Sequence, residues 1–142
     1  MKKLLFLFFP VLLLSACVTD DDCVAPTLSV NVIGVWEASR HTDGVNRVEM
    51  IEFLENGTLI DDSGIVTEST STVTIGGEGF VLDSKNWAVD EEEQTLTFLS
   101  RFVIASSGII SEQSITSESI INRCDYITLV FRQGDGLFLS RR

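Results

Sequence analysis

The residues able to do chemistry are few and widely spaced in this sequence. The one histidine, His41, stands before Thr42-Asp43-Gly44, a run that predicts a hairpin loop. A Ser/His/Asp relay would need partners brought from distant parts of the chain, and a lone loop histidine is ordinarily solvated or locally hydrogen-bonded. Cysteines occur at 17, 23 and 124 without a histidine cluster, so zinc and a cysteine nucleophile have no support. Asp90-Glu91-Glu92-Glu93 offers carboxylates but lacks the alternating spacing that wraps Ca²⁺ in one loop, and it reads as a solvated turn. Gly76-Gly77-Glu78-Gly79 lacks the lysine and following helix of a phosphate loop. Paired acids for glycoside cleavage are defined by a spatial separation that no spacing in the chain displays. The Ser/Thr-rich stretch from Thr67 to Thr74 suits either a sugar-facing surface or the polar face of a strand. The expectation is a non-catalytic protein with no cofactor and no metal.

Composition narrows the partners. With 142 residues, 44% hydrophobic and 22% charged, the chain supports one domain and excludes a disordered polypeptide. Ten Lys and Arg stand against 21 Asp and Glu, a formal charge of −11. An electrostatic grip on nucleic acid is thereby excluded, and so is one on an anionic membrane.

The N-terminus supplies an address. Met1 to Cys17 reads MKKLLFLFFPVLLLSAC: two lysines, eleven apolar residues, then small residues before cysteine. This is the layout of an export signal, and eleven residues rising about 1.5 Å each cannot cross a hydrocarbon core of about 30 Å. Leu14-Ser15-Ala16-Cys17 resembles the lipobox of bacterial lipoproteins. The resemblance implies cleavage after residue 16, a diacylglyceryl group on Cys17 and acylation of the new amino terminus, typically by palmitate. A plain secretory signal cut near Ala16 is the other reading. Residues 1–16 are then signal peptide, 17–32 a lipidated cysteine with an acidic tether, and 33–142 the folded domain. Loss of Lys2 and Lys3 leaves eight basic against 21 acidic residues, a formal charge of −13. Val18-Thr19-Asp20-Asp21-Asp22 resembles the sorting segment of outer-membrane lipoproteins, with the periplasmic and surface faces both open. Two thiols remain in an exported chain, Cys23 and Cys124, and they are candidates for one disulfide, with free thiols or a metal pair as the competing readings. Closing a loop of about one hundred residues would stabilise the fold by up to about 4–5 kcal/mol.

These residues need a scaffold, and the rest of the sequence predicts one built of strands. Asp43-Gly44, Asn56-Gly57, Asp61-Asp62-Ser63-Gly64, Ser106-Ser107-Gly108 and Gly134-Asp135-Gly136 punctuate short Val, Ile, Thr and Phe runs. Strands are expected near 33–40, 46–54, 58–61, 65–75, 80–89, 95–104, 109–121, 126–132 and 137–140, with no helix. Leu96, Phe98, Phe102 and Ile104 share one strand face, as do Ile127, Leu129 and Phe131. One apolar face per strand suits a barrel or a sandwich.

Gly34-Val35-Trp36 resembles the Gly-x-Trp that opens lipocalins. The ordered set Ile51 to Leu59, Asn86-Trp87-Ala88-Val89-Asp90 and Thr95-Leu96-Thr97-Phe98 is similar to the lipocalin-like domains of small Bacteroidetes lipoproteins. The resemblance implies an all-β fold: an antiparallel meander closing into a lipocalin-like β-barrel of about eight strands. It also implies that Trp36 plugs one end under an arginine, Arg132 being preferred to Arg123, while Gly34 permits a close backbone approach. By the same resemblance Phe53, Phe80, Leu82, Phe98 and Phe102 would line a site for a small hydrophobic or amphipathic molecule. The alternative is a protein-interaction or inhibitor module with a filled core, whose acidic surface would steer a basic protein partner.

Overall fold

Alternating apolar runs, each ended by a Gly or Asx turn, bury one face apiece by pairing antiparallel. The computed structural model describes residues 23–42, 44–67, 72–75, 78–104, 107–132 and 135–141, and ten strands lie among them. In chain order these are β1 (Gly34–Thr42), β2 (Val45–Phe53), β3 (Leu59–Ile60), β4 (Thr72–Ile75), β5 (Glu78–Asp90), β6 (Thr95–Val103), β7 (Ile110–Thr116), β8 (Ser119–Asn122), β9 (Tyr126–Val130) and β10 (Gly136–Ser140). They form two sheets, one of six strands in the order β3-β2-β1-β10-β9-β8 and one of four in the order β4-β5-β6-β7. The fold is all-β and antiparallel. The signal segment, Cys17 and the tether as far as Asp22 lie outside the described residues, as does Gly76-Gly77.

Among the described residues, backbone hydrogen bonds link the sheets at two places. At one, the tight turn at Asn56-Gly57 carries β2 into β3 and meets β5: the Trp87 N–H donates to the Gly57 carbonyl at 2.8 Å, and Thr58 bridges Asn86. Gly57 has φ +83°, so this turn needs glycine. At the other, the chain passes from β7, paired with β6, to β8, paired with β9, through Ser117. Its N–H donates to the Leu96 carbonyl at 3.0 Å, its Oγ accepts from the Leu96 N–H at 2.9 Å, and the next N–H, of Glu118, donates to the Val130 carbonyl at 2.7 Å. The strand expected over 109–121 is therefore two strands, because the chain's hydrogen bonding switches from Leu96 of β6 at Ser117 to Val130 of β9 at Glu118.

The stretch expected as a strand from 65 to 75 also differs. Ile65, Val66 and Thr67 are irregular because their N–H groups point at the Asp61 carboxylate, and of this stretch the described strand is β4, Thr72–Ile75.

Inward parity follows the alternation. Leu96, Phe98, Ser100 and Phe102 are the buried positions of β6, and Ile127, Leu129, Leu137 and Leu139 those of β9 and β10. Phe53, Phe98 and Phe131 form a tilted chain with centroids 6.1 and 6.2 Å apart, and Trp87 stands edge-on to Phe53 at 5.7 Å.

The lead into β1 is part of this core. One helical turn, α1 (Leu28–Asn31), buries Leu28 and Val32, where a polar tether and no helix were expected. Trp36 is fully buried, and its Nε1 donates to the Val32 carbonyl at 2.7 Å. The cation over its indole is Arg141, with the guanidinium carbon 4.7 Å from the ring centroid and Nη2 donating to the Asn31 carbonyl at 2.6 Å. Arg132 does not take this role: β10 runs antiparallel to β9 and brings Ser140 opposite Glu37, so the residue after β10 arrives at Trp36, while Arg132 is exposed beyond the far end of β9. Arg123 contributes its backbone, accepting from Asn31 Nδ2 at 2.7 Å. Gly34 also acts differently from expectation: nothing lies within 4 Å of its would-be Cβ, and what it supplies is a φ of +118° at the entry to β1. The Cys23–Cys124 disulfide fastens this end across a separation of 101 residues.

Two outcomes follow from this end of the fold. Arg141→Ala is expected to lower the unfolding free energy in urea by about 1–3 kcal/mol, from a cation–π contact and a charge-assisted hydrogen bond, and Arg132→Ala by less than about 0.5 kcal/mol. At the neighbouring turn Ser29, through its side chain and its main-chain N–H, holds the Glu91 carboxyl below its ordinary value of 4.5. A lowered carboxyl stabilises the fold above the unfolded-state value and loses that effect as pH falls through the folded-state value. Urea midpoints of the parent and Glu91→Gln should therefore differ at neutral pH and converge on acidification below 4.5.

Candidate functional site

The concentration of polar chemistry lies where the segment after β3 enters the interior between the sheets. Asp61 ends β3 and begins a tight turn, in which the Gly64 N–H donates to the Asp61 carbonyl at 3.3 Å. The chain then turns inward, and Ile65 and Val66 become fully buried. A segment lacking ladder partners must satisfy its backbone otherwise. The Asp61 carboxylate does so, accepting from the N–H groups of Ile65, Val66 and Thr67 at 2.9, 3.2 and 3.2 Å. Its charge is met by Lys85 of β5, whose Nζ lies 3.3 Å from Oδ2 and also donates to the Asp61 main-chain carbonyl. Both side chains are buried.

The same segment is held from β1. Arg40 follows Trp36 and Ala38 on the inward parity of that strand and is 4% exposed. Its Nη1 donates to the carbonyls of Ile65 and Val66 at 3.2 and 3.4 Å, and its Nη2 pairs with Asp135 Oδ2 at 2.6 Å, just before β10. The guanidinium carbon also stands 6.0 Å from the Phe131 ring centroid. Arg47 Nη2 adds a bond to the Ser63 carbonyl at 2.9 Å. The buried charges thus act on the backbone of residues 61–67, which they bind as a strap across the interior.

The five side chains expected to line a ligand site are not brought to one cavity. Phe53 and Phe98 are buried within the main core, whereas Phe102 and Phe80 are buried outside it. Leu82 lies apart from them, half-buried beside a groove of about 370 Å³ between β3 and β5 that also holds Asp61, Asp62, Asp83 and Lys85. Only Phe98 borders the hollow between β6, β7 and the strap, a space of about 140 Å³ shared with Thr67, Ser100, Gln113, Ser114 and Ile115. Pockets for drug-sized molecules run from about 300 to 1,000 Å³.

His41 is exposed on β1 opposite Asn46. Among the described residues no group of three or more His, Cys, Asp or Glu side chains is placed to hold a metal ion.

The outer face of the six-stranded sheet carries several exposed apolar side chains. One row across five strands, set by the register, reads Val48, Ser39, Phe138, Thr128 and Ile121, and three of these are exposed large hydrophobics. Met50 flanks Val48 two residues on, and Phe138 stacks on Tyr126 at 5.6 Å. Glu37, Glu49, Val48 and Met50 surround a shallow hollow of about 140 Å³, so carboxylates border the apolar row.

Arg40, Lys85, Asp61 and Asp135 were not singled out from the sequence. A signal existed for two of them: Arg40 shares the parity of Trp36 and Ala38, and Lys85 that of Trp87. No known family model, characterised protein or solved structure matches this chain.

Breaking the buried pair on one side is expected to be costly. Asp61→Ala leaves three amides and a buried ammonium without their acceptor, an expected loss of about 3–5 kcal/mol, whereas Asp61→Asn combined with Lys85→Met should cost markedly less. Urea denaturation of the two variants checks the difference.

Proposed function

We propose that this protein is an exported, lipid-anchored and non-catalytic binding module of the cell envelope, which acts through its outer surface rather than through an internal ligand site. The observation that carries this reading is the filled interior: Phe53, Phe98 and Phe131 pack in one core with Ile65 and Val66 of the strap, and Phe102 is fully buried. A lipocalin-like barrel is the architecture that joins the two sheets in this reading. It is supported by the Thr58 to Asn86 bridge on one side and the passage through Ser117 on the other. The lipobox Leu14-Ser15-Ala16-Cys17 supports the anchor, and the apolar residue and acidic run after Cys17 support delivery to an outer membrane.

The partner class follows from the surface. An apolar row bordered by Glu37, Glu49 and Glu52, on a chain of charge −11, favours a basic protein that presents apolar side chains. Such association is steered by charge and weakens as salt rises. A second reading keeps a small neutral molecule in the hollow beside Phe98, Ser100 and Gln113, where apolar and polar groups meet.

Native mass spectrometry of the chain exported with Cys17→Ser, followed by organic extraction, separates the two readings. The expected result is a bare polypeptide, lighter by two hydrogens for the Cys23–Cys124 bridge. A discrete extra mass that leaves on extraction would replace the surface reading with the ligand reading.

A further inference from the structure

We infer that the end of the domain fastened by the Cys23–Cys124 bridge is the face that meets the lipid surface, with the strap end turned away from it. The inference rests on the lipid anchor proposed above and adds an orientation to it. Cys17 precedes Cys23 by six residues, and at about 3.5 Å per extended residue the tether reaches no more than about 20 Å. Cys23 is not a loose end: it is bonded to Cys124 in the turn between β8 and β9, and the next residues are tied down as well. Asn122 Nδ2 donates to the Pro26 carbonyl at 2.8 Å, and Asn31 Nδ2 donates to Asn122 Oδ1 and to the Arg123 carbonyl at 2.6 and 2.7 Å. The anchor therefore pulls on the body of the domain at this end.

The surface found there suits an interface. A hollow of about 460 Å³ is bounded by Val24, Pro26, Val30 and Ile33, with Arg141 and Glu55 among its polar groups. Val24 is 91% exposed and Val30 59%, on an element whose other face packs Leu28 into the core. Exposed valines beside a guanidinium match the layering of acyl-chain ends under phosphate groups. The hairpin between β6 and β7 lies at the other end of a nine-residue strand, about 30 Å away at about 3.3 Å per residue. That end carries the strap and Arg40, and the sides of the domain carry the apolar row of the six-stranded sheet. Both are then presented to partners in the aqueous compartment.

Three exposed positions report the orientation: Val30→Trp at the bridged end, Met50→Trp on the side of the six-stranded sheet, and Ser107→Trp in the β6–β7 hairpin. Each full-length variant is exported, tested for palmitate incorporation and reconstituted into phosphatidylcholine vesicles with brominated acyl chains, its fluorescence read against the parent containing Trp36 and Trp87. Quenching several-fold stronger at Val30→Trp than at the other two is expected. Palmitate incorporation with equal or stronger quenching at Met50→Trp or Ser107→Trp overturns the orientation alone. Absence of palmitate overturns the anchor and the orientation together. Matching urea curves for the three variants and the parent establish that all are folded.

Discussion

Much of this structure hangs on the Trp36 indole, held between the Val32 carbonyl and the Arg141 guanidinium. The contact joins three parts of the chain that are remote in sequence: the lead before β1, the start of β1, and the residue after β10. Because Glu37 faces Ser140 across the β1–β10 ladder, the same contact clasps the first strand to the last. An antiparallel β-fold whose termini meet in this way closes its longest loop at one point, and the disulfide between Cys23 and Cys124 reinforces that point covalently. The shared location is economical. A single end of the domain carries the aromatic plug, the cation over it and the cross-link.

At the other end the organising force is the need to satisfy backbone groups that no ladder supplies. Residues 61–67 cross the interior, and their amides and carbonyls are met by buried charges of opposite sign, Asp61 for the N–H groups and Arg40 for the carbonyls. Each charge has its own counterion, Lys85 for Asp61 and Asp135 for Arg40. Two ion pairs drawn from β1, β5, the strap and the residue before β10 thus hold a segment that is not a strand. Buried pairs of this kind give modest net stability because desolvation offsets much of the attraction. What they supply is definition: the strap has one arrangement in which all four charges are paired.

The strap also decides how the interior is used. Aromatic side chains that could have lined a pocket pack upon one another, with Phe98 between Phe53 and Phe131. The remaining hollow of about 140 Å³ is bordered as much by Ser100, Gln113 and Thr67 as by Phe98 and Ile115. On the outside, Val48, Met50 and Phe138 stand exposed near Glu37 and Glu49.

The amino-acid order alone determined the class of the fold, because strand periodicity and turn chemistry are local. Alternation placed Leu96, Phe98 and Phe102 on one face, and likewise Ile127, Leu129 and Phe131, while Asn56-Gly57 marked a turn that accepts only a residue free to take positive φ. The pairing of Cys23 with Cys124 was legible by counting the cysteines that remain once Cys17 is set aside for the expected lipobox. Tertiary structure decided which residues meet across strands. Arg141 rather than Arg132 covers Trp36 because the β1–β10 register, which no local pattern encodes, brings the chain past Ser140 to the indole. Asp61 read as one more turn residue until Lys85, 24 positions away, and the amides of residues 65–67 closed around it. Whether five apolar side chains make a lining or a core depends on what fills the space between them. Ile65 and Val66 share the core with Phe53 and Phe98, and Arg40 and Asp61 satisfy their buried backbone.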